Sequence, residues 1–164
     1  MSEQSLNHFT QDGRPHMVDV SEKAISKRTA VAESLVRMQK ATRDAIVHQA
    51  MRKGDVLAIA ELAGIMAAKK TSDLIPLCHP VPLHHVAVDI DFEERNNPDY
   101  AWLRIEAQVD TAHQTGVEME ALTACAVAAL TVYDMCKKID RAIEIEHTRL
   151  VYKSGGESGT FERR

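Results

Sequence analysis

Residues 69–83, KKTSDLIPLCHPVPL, set Cys78 beside His79 in a frame made by Pro76, Pro80 and Pro82. Imidazole titrates near neutral pH, so a histidine in a stiff loop is a candidate proton carrier. Pro80 biases His79 toward an extended backbone, and Pro76 does the same to Ile75. Neighbouring side chains of an extended segment point opposite ways, so Cys78 and His79 are not expected to face one ligand together. His84, His85, His113 and His147 lack zinc-finger or HExxH spacing. The plain alternative is a turn leading into a strand.

Lys53-Gly54-Asp55 stands immediately before a predicted helix. Free N–H groups and the macrodipole make a positive field there, favouring a bound anion and disfavouring the lysine's own charge. A phosphate site or a lysine acid/base needs that field; a solvated loop lysine does not. Farther on, Asp134, Lys137 and Lys138 are spaced i, i+3, i+4 and share a helix face. They read either as a surface ion pair or as an acid and a base held together for proton transfer. Glu118 and Glu120 open the same helix, where acids complement the dipole.

Glu118 and Asp134 are separated by roughly 24 Å along a helix axis, at 1.5 Å per residue. One helix cannot bring both ends to a small reacting centre. Two copies packed antiparallel across a two-fold axis can, so a site shared between subunits is expected. The last cluster is Lys153-Ser-Gly-Gly-Glu-Ser-Gly159. A lysine followed by glycines and hydroxyls can wrap anionic oxygens with backbone N–H groups, and a flexible tail has the same composition. Neither GxxxxGK[ST] nor GxGxxG is present.

The elements that must position these groups follow from periodicity. Ala30, Ala32, Ser34, Val36 and Met38 alternate with a face carrying Glu33 and Arg37, which predicts a strand over 29–38. A helix is expected from Lys40 to Met51, ended by Gly54. A second runs from the Asp55 cap to about Lys70, with Val56, Ile59, Ala60, Ala63 and Ala67 as its buried stripe. Strands follow over 86–92 and 101–109, joined by the turn ERNNPDY. A long helix spans about 117–139, with no charge between Glu120 and Asp134 and a line of small residues. A last strand covers 143–153. The order predicts an α+β sandwich of ferredoxin-like type, an antiparallel sheet of about four strands with helices on one face.

The 164 residues suit one domain: a mobile N-terminal tail over 1–17, a single catalytic domain over 18–159 and a C-terminal tail over 160–164. Aromatics are 4% of the chain, so alanine and the aliphatics must do most of the packing. A formal charge of −4 argues against nucleic-acid binding through overall charge, and any anion must be met by a local basic cluster. Three widely spaced cysteines without CxxC, a polar N-terminus and no long apolar run predict a cytoplasmic protein with reduced thiols and no membrane partner.

Five segments carry a resemblance: KGDV at 53–56, KKTSDLIPLCHPVPL at 69–83, TGVEMEALTA at 115–124, ALTVYDMCK at 129–137 and KSGG at 153–156. Together they resemble the molybdenum cofactor biosynthesis protein C family, the cyclic pyranopterin monophosphate synthases, over nearly all of residues 16–159. The resemblance implies conversion of a cyclo-dihydroguanosine triphosphate into a pyranopterin bearing a cyclic phosphate, with release of pyrophosphate and no metal or redox cofactor. It implies a homohexamer, a trimer of dimers with sites at subunit interfaces. Asp134 matches the family's catalytic aspartate, and Lys53 and Lys137 its essential lysines. Leu77-Cys78-His79 and Met119-Glu120 match its substrate-binding motifs, with His79 a further acid/base. Glu118, Arg28, Lys23, Asp19 and Lys153 match positions expected near the ligand, and Cys78 is expected to turn into the core. This chain has Glu157 where the family often has lysine. A non-catalytic oligomeric nucleotide-binding module of the same fold and a zinc protein using Cys78 are the rival readings.

Overall fold

The computed structural model describes residues 8–48 and 55–164. Its elements are β1 (Ser26–Gln39), α1 (Lys40–Val47), α2 (Val56–Ala68), α3 (Thr71–Leu74), β2 (His85–Glu93), β3 (Tyr100–His113), α4 (Glu118–Cys136), β4 (Glu144–Ser154) and β5 (Phe161–Glu162). All strand pairs are antiparallel, in the order β2-β3-β1-β4-β5. The βαββαβ succession with β1 between β3 and β4 is the ferredoxin-like arrangement. The two-residue β5 and the single turn α3 go beyond the sequence expectation.

Alternation explains the layers. On β3, Ala101, Leu103, Ile105, Ala107 and Val109 are buried, while Arg104, Glu106 and Gln108 stand on the other face. On β1 the matching set is Ala30, Ala32, Val36 and Met38. Burying a side chain such as Leu103 or Ile105 stabilises the fold by about 1.5–3 kcal/mol. Helices α2 and α4 lie on that apolar face and on each other. The α4 residues Ala121, Ala124, Cys125, Ala128, Ala129 and Val132 are completely buried, and their small side chains permit close approach. Where α2 crosses, a Cβ on Gly64 would lie 3.1 Å from the Ala124 carbonyl oxygen and 3.2 Å from Val88 Cγ2.

That crossing corrects the expected stripe of α2. Val56, Ala60, Gly64, Ala67 and Ala68 are buried, whereas Ile59 is 43% exposed. At about 100° per residue, Ile59 lies roughly a third of a turn from the ridge of small residues that meets α4. By length and hydropathy alone α4 could cross a bilayer; its buried face belongs instead to the core between the sheet and α2.

Helix α2 starts where Asp55 Oδ1 accepts a hydrogen bond from Ala58 N at 3.1 Å. Helix α1 is started differently, by a residue remote in sequence. Asp140, 2% exposed, accepts from Gln39 N at 2.9 Å and Thr42 Oγ1 at 3.1 Å, and its other oxygen accepts from Ala142 N at 2.9 Å. The carboxylate so ties the end of α4 to the start of α1. The expected end of α1 at Met51, the break at Gly54 and Lys53 itself lie outside the described residues.

Candidate functional site

Strand register gathers the chemistry at one end of the sheet. Ser26 of β1 is opposite His113 of β3, and Thr29 is opposite Ser154 of β4. The start of β1, the end of β3 and the end of β4 are therefore neighbours. Helix α4 begins five residues after β3, which puts Glu118, Met119 and Glu120 at the same end. The proline-framed loop runs into β2, whose His85 is opposite Asp110 near the end of β3. Thr111 Oγ1 donates to the Pro82 carbonyl and His84 N to the Asp110 carbonyl, fastening that loop to β3.

Two cavities open there. The first, about 820 Å³, is lined by Lys23, Ser26, Arg28, Glu118, Glu157 and Ser158 among others. The second, about 690 Å³, is lined by Leu77, Cys78, His79, Met119 and Glu120 together with Val18 and Val20. They share Val20, Lys23, Thr115, Gly116 and Glu118, and so adjoin. One end is polar and flanked by cations; the other is largely apolar with a few polar groups, as a site for a ring system with an anionic tail requires.

In the second cavity both Cys78 and His79 contribute to the wall, contrary to the alternation expected of them. The loop is not extended throughout: Cys78 N donates to the Ile75 carbonyl at 3.1 Å, closing a turn that resets the direction of the following side chains. Cys78 accordingly is half-buried in the cavity wall rather than turned into the core. Its thiol lies 3.8 Å from Glu120 Oε1. Burial, then the charge of Glu120 and the bond to it, pushes the thiol up to about 11, so it remains protonated at neutral pH.

Glu120 is 3% exposed and, among the described residues, its Oε2 has no hydrogen-bond partner. Burial raises its carboxyl above the ordinary range; its own backbone N–H and Cys78 act against that, and Glu118 adds to it. The helix start favours an acid there by its dipole, as expected; the burial of Glu120 is a further finding. His79 Nε2 lies 2.7 Å from the Val18 carbonyl oxygen. A carbonyl only accepts, so Nε2 carries the proton, leaving Nδ1 as the acceptor of the neutral ring.

At the polar end, Arg28 donates through Nε to the His113 carbonyl at 3.3 Å and through Nη2 to the Gln114 carbonyl at 2.9 Å. These neutral acceptors orient the guanidinium without cancelling its charge. Gly155 (φ 94°) and Gly156 (φ 77°) bring the chain over Lys27 and Arg28; a Cβ on Gly156 would overlap the guanidinium. Lys153 Nζ donates to Ser158 Oγ within the same turn, and Ser21 N donates to Asp19 Oδ1 at 2.9 Å. Among the described residues no three His, Cys, Asp or Glu side chains converge as a metal site.

Asp134 and Lys137 are elsewhere, at the far end of α4. Lys137 Nζ donates to Asp134 Oδ1 at 2.5 Å, one turn apart and both well exposed. That hydrogen bond, and next the carboxylate's charge, holds the lysine above its ordinary range. The helix is continuous between them and Glu118, so within one chain the pair stays about 24 Å from the cavities. Sequence reading did not find Val18, Val20, Ala24, Thr115 or Gly116 as cavity residues. Gly116 alone left a signal, a glycine two residues before a helix acid whose carboxylate fills the space a Cβ would need.

Comparison with known proteins bears on this arrangement. A family model described as the MoaC family matches residues 17–156. The cyclic pyranopterin monophosphate synthase of Halalkalibacterium halodurans is 54% identical over 158 residues, covering 96% of this chain and 94% of that protein. That of Dinoroseobacter shibae is 54% identical over 157 residues, covering 96% and 97%. The synthase of Bacillus thuringiensis subsp. konkukian is 49% identical over 160 residues and covers 98% of both chains.

Proposed function

The chain belongs to the MoaC family, and on that premise we propose that it is a cyclic pyranopterin monophosphate synthase. It is an enzyme acting on a small molecule, a lyase that converts (8S)-3',8-cyclo-7,8-dihydroguanosine 5'-triphosphate into cyclic pyranopterin monophosphate and pyrophosphate in the cytoplasm. The observation that carries this reading is the adjoining pair of cavities, one polar and cationic at its rim, the other built from Leu77, Cys78, His79, Met119 and Glu120.

The triphosphate occupies the polar cavity, where Arg28 and Lys23 offset its charge and that of the departing pyrophosphate. The purine-derived rings occupy the second, against Leu77 and Met119. Closing the cyclic phosphate makes a bond from a sugar-derived oxygen to the α-phosphorus and breaks the bond from that phosphorus to the bridging oxygen. The attacking hydroxyl gives up a proton, and the ring rearrangement moves several more. His79 stands in the cavity wall for such transfers, with Lys53, Lys137 and Asp134 as the other acid/base groups.

Asp134 and Lys137 reach that centre from a second copy. The length of α4 supports this, and so do the exposed apolar side chains Ile59, Leu62 and Met66 of α2 and Leu130 of α4, a face suited to burial against another subunit. A hexamer made as a trimer of dimers supplies such sites. The test is a single-turnover reaction with the cyclised nucleotide, following pyrophosphate and pterin. Product from the parent protein and none from Asp134→Asn or Lys53→Ala upholds the reading. A folded, substrate-binding parent that forms no product turns it into a nucleotide-binding module.

A further inference from the structure

Glu157 is an acid in the wall of a cavity that presents Lys23 and Arg28 to an anionic ligand. The turn after β4 sets it there: Gly155 and Gly156, both at positive φ, fold the chain back over β1 so that Glu157 and Ser158 line the larger cavity. Across the opening, Glu157 Oε2 lies 3.4 Å from Lys23 Nζ. Lys23 comes from the segment before β1 and lines both cavities. The ion pair therefore joins two segments 134 positions apart in sequence, over the place where the two cavities meet.

The charges of the larger cavity divide unevenly. Arg28 is held by carbonyl oxygens and keeps its charge for a ligand. Lys23 has its charge opposed by a carboxylate. Glu118, the other acid of that wall, folds back on Gly116. Lys23 is 44% exposed and Glu157 82%, so water screens the pair and little is lost when it breaks. A ligand with several negative charges outcompetes one carboxylate for the ammonium; a ligand with a single charge does so far less well.

We propose that Glu157 is a positioning residue that holds Lys23 across the cavity mouth and yields it to a polyphosphate, so tempering the affinity of this end of the site for anions. The proposal rests on the reading that the larger cavity takes the triphosphate. One consequence is kinetic: once pyrophosphate has left, Lys23 returns to Glu157, and the singly charged cyclic phosphate is not retained.

The test is calorimetric titration of the assembled full-length protein with inorganic tripolyphosphate and, separately, inorganic phosphate. Parent, Glu157→Gln, Glu157→Asp, Lys23→Ala and the Glu157→Gln/Lys23→Ala double variant are compared. Glu157→Gln should bind tripolyphosphate about two- to fivefold tighter, the range of an exposed ion pair. Glu157→Asp should stay close to the parent, and the gain should vanish when Lys23 is absent. In turnover, Glu157→Gln should lower KM for the nucleotide without raising kcat. Unchanged or weaker binding by Glu157→Gln, a gain that persists without Lys23, or no tripolyphosphate binding by any form overturns the proposal. A protein that shows the expected binding pattern yet forms no pterin leaves the proposal standing and removes the reaction. Turnover with no effect at position 157 does the reverse.

Discussion

Cys78 and Glu120, 42 positions apart in sequence, meet with the thiol 3.8 Å from the carboxyl in the wall of the second cavity. The contact joins the proline-framed loop to the first turn of α4 and leaves the other carboxyl oxygen buried with no partner among the described residues. Burial is the main reason the Glu120 carboxyl titrates above its ordinary range. A raised folded value means that the neutral form is the stabilising one. Its contribution is complete below the unfolded value, about 4.3. It is lost as pH climbs through the higher folded value. Glu120→Gln, neutral throughout, should therefore gain on the parent as pH rises from acid to neutral. Denaturant midpoints of the two proteins over a pH series check this; a constant difference between them would contradict it.

Asp134 and Lys137 are exposed, so their pairing adds little to folding, and under the proposed function it serves the chemistry. Asp134→Asn should leave the melting temperature unchanged and lower turnover by about 10²–10⁴-fold, the usual range for removing a positioned acid or base. If the site is shared, mixing Asp134→Asn subunits with His79→Ala subunits should restore part of the activity that each lacks alone, because some hybrid sites are intact. Mixed assemblies verified by mass but still inactive would put the whole site in one chain.

Gly156 has a backbone that other residues adopt with difficulty, and Arg28 occupies the space its side chain would need. Gly156→Ala should cost about 1–2 kcal/mol through the left-handed conformation. It should also push the Arg28 guanidinium away from its carbonyl partners. Weakened tripolyphosphate binding in a protein that still folds is the expected result of titration. Gly159→Ala is the control, since it has positive φ but nothing near the missing Cβ.

Asp140 starts α1 from across the fold through two hydrogen bonds, and a third, from Ala142 N, holds its carboxylate in place. Asp140→Ala leaves the Gln39 N–H and the Thr42 hydroxyl without their acceptor, and should destabilise the protein by about 2–4 kcal/mol. Asp140→Asn, which keeps one acceptor oxygen, should cost less. Urea midpoints rank the three proteins, and equal midpoints would mean that water replaces the carboxylate.

How far the fold and site were legible depends on the range of the interaction. Strands β2 and β3 and helix α4 showed themselves through period and composition, because a two-residue or 3.6-residue repeat is the local imprint of one buried face. The stripe of α2 was misplaced at Ile59 because its ridge of small residues is chosen by the crossing with α4, which no local pattern reports. Cys78 was expected in the core because alternation was assumed through a turn. Lys23 and Glu157 gave no sign that they would be neighbours.

The sequence by itself determined the ferredoxin-like order of elements, the candidate residues in the proline-framed loop and at both ends of α4, and the axial distance between those ends. Each of these is a matter of residue type and short-range geometry. Only the tertiary structure decided that Glu120 is buried against Cys78, that Arg28 is aimed by carbonyls at the end of β3, that Asp140 begins a helix a hundred residues upstream and that Glu157 faces Lys23. Those contacts arise where β1 inserts between β3 and β4 and draws distant segments together at the two ends of the sheet, the cavities at one and Asp140 at the other. Burial and charge at such a place are properties of the assembled neighbours, which the local pattern of any one segment does not record.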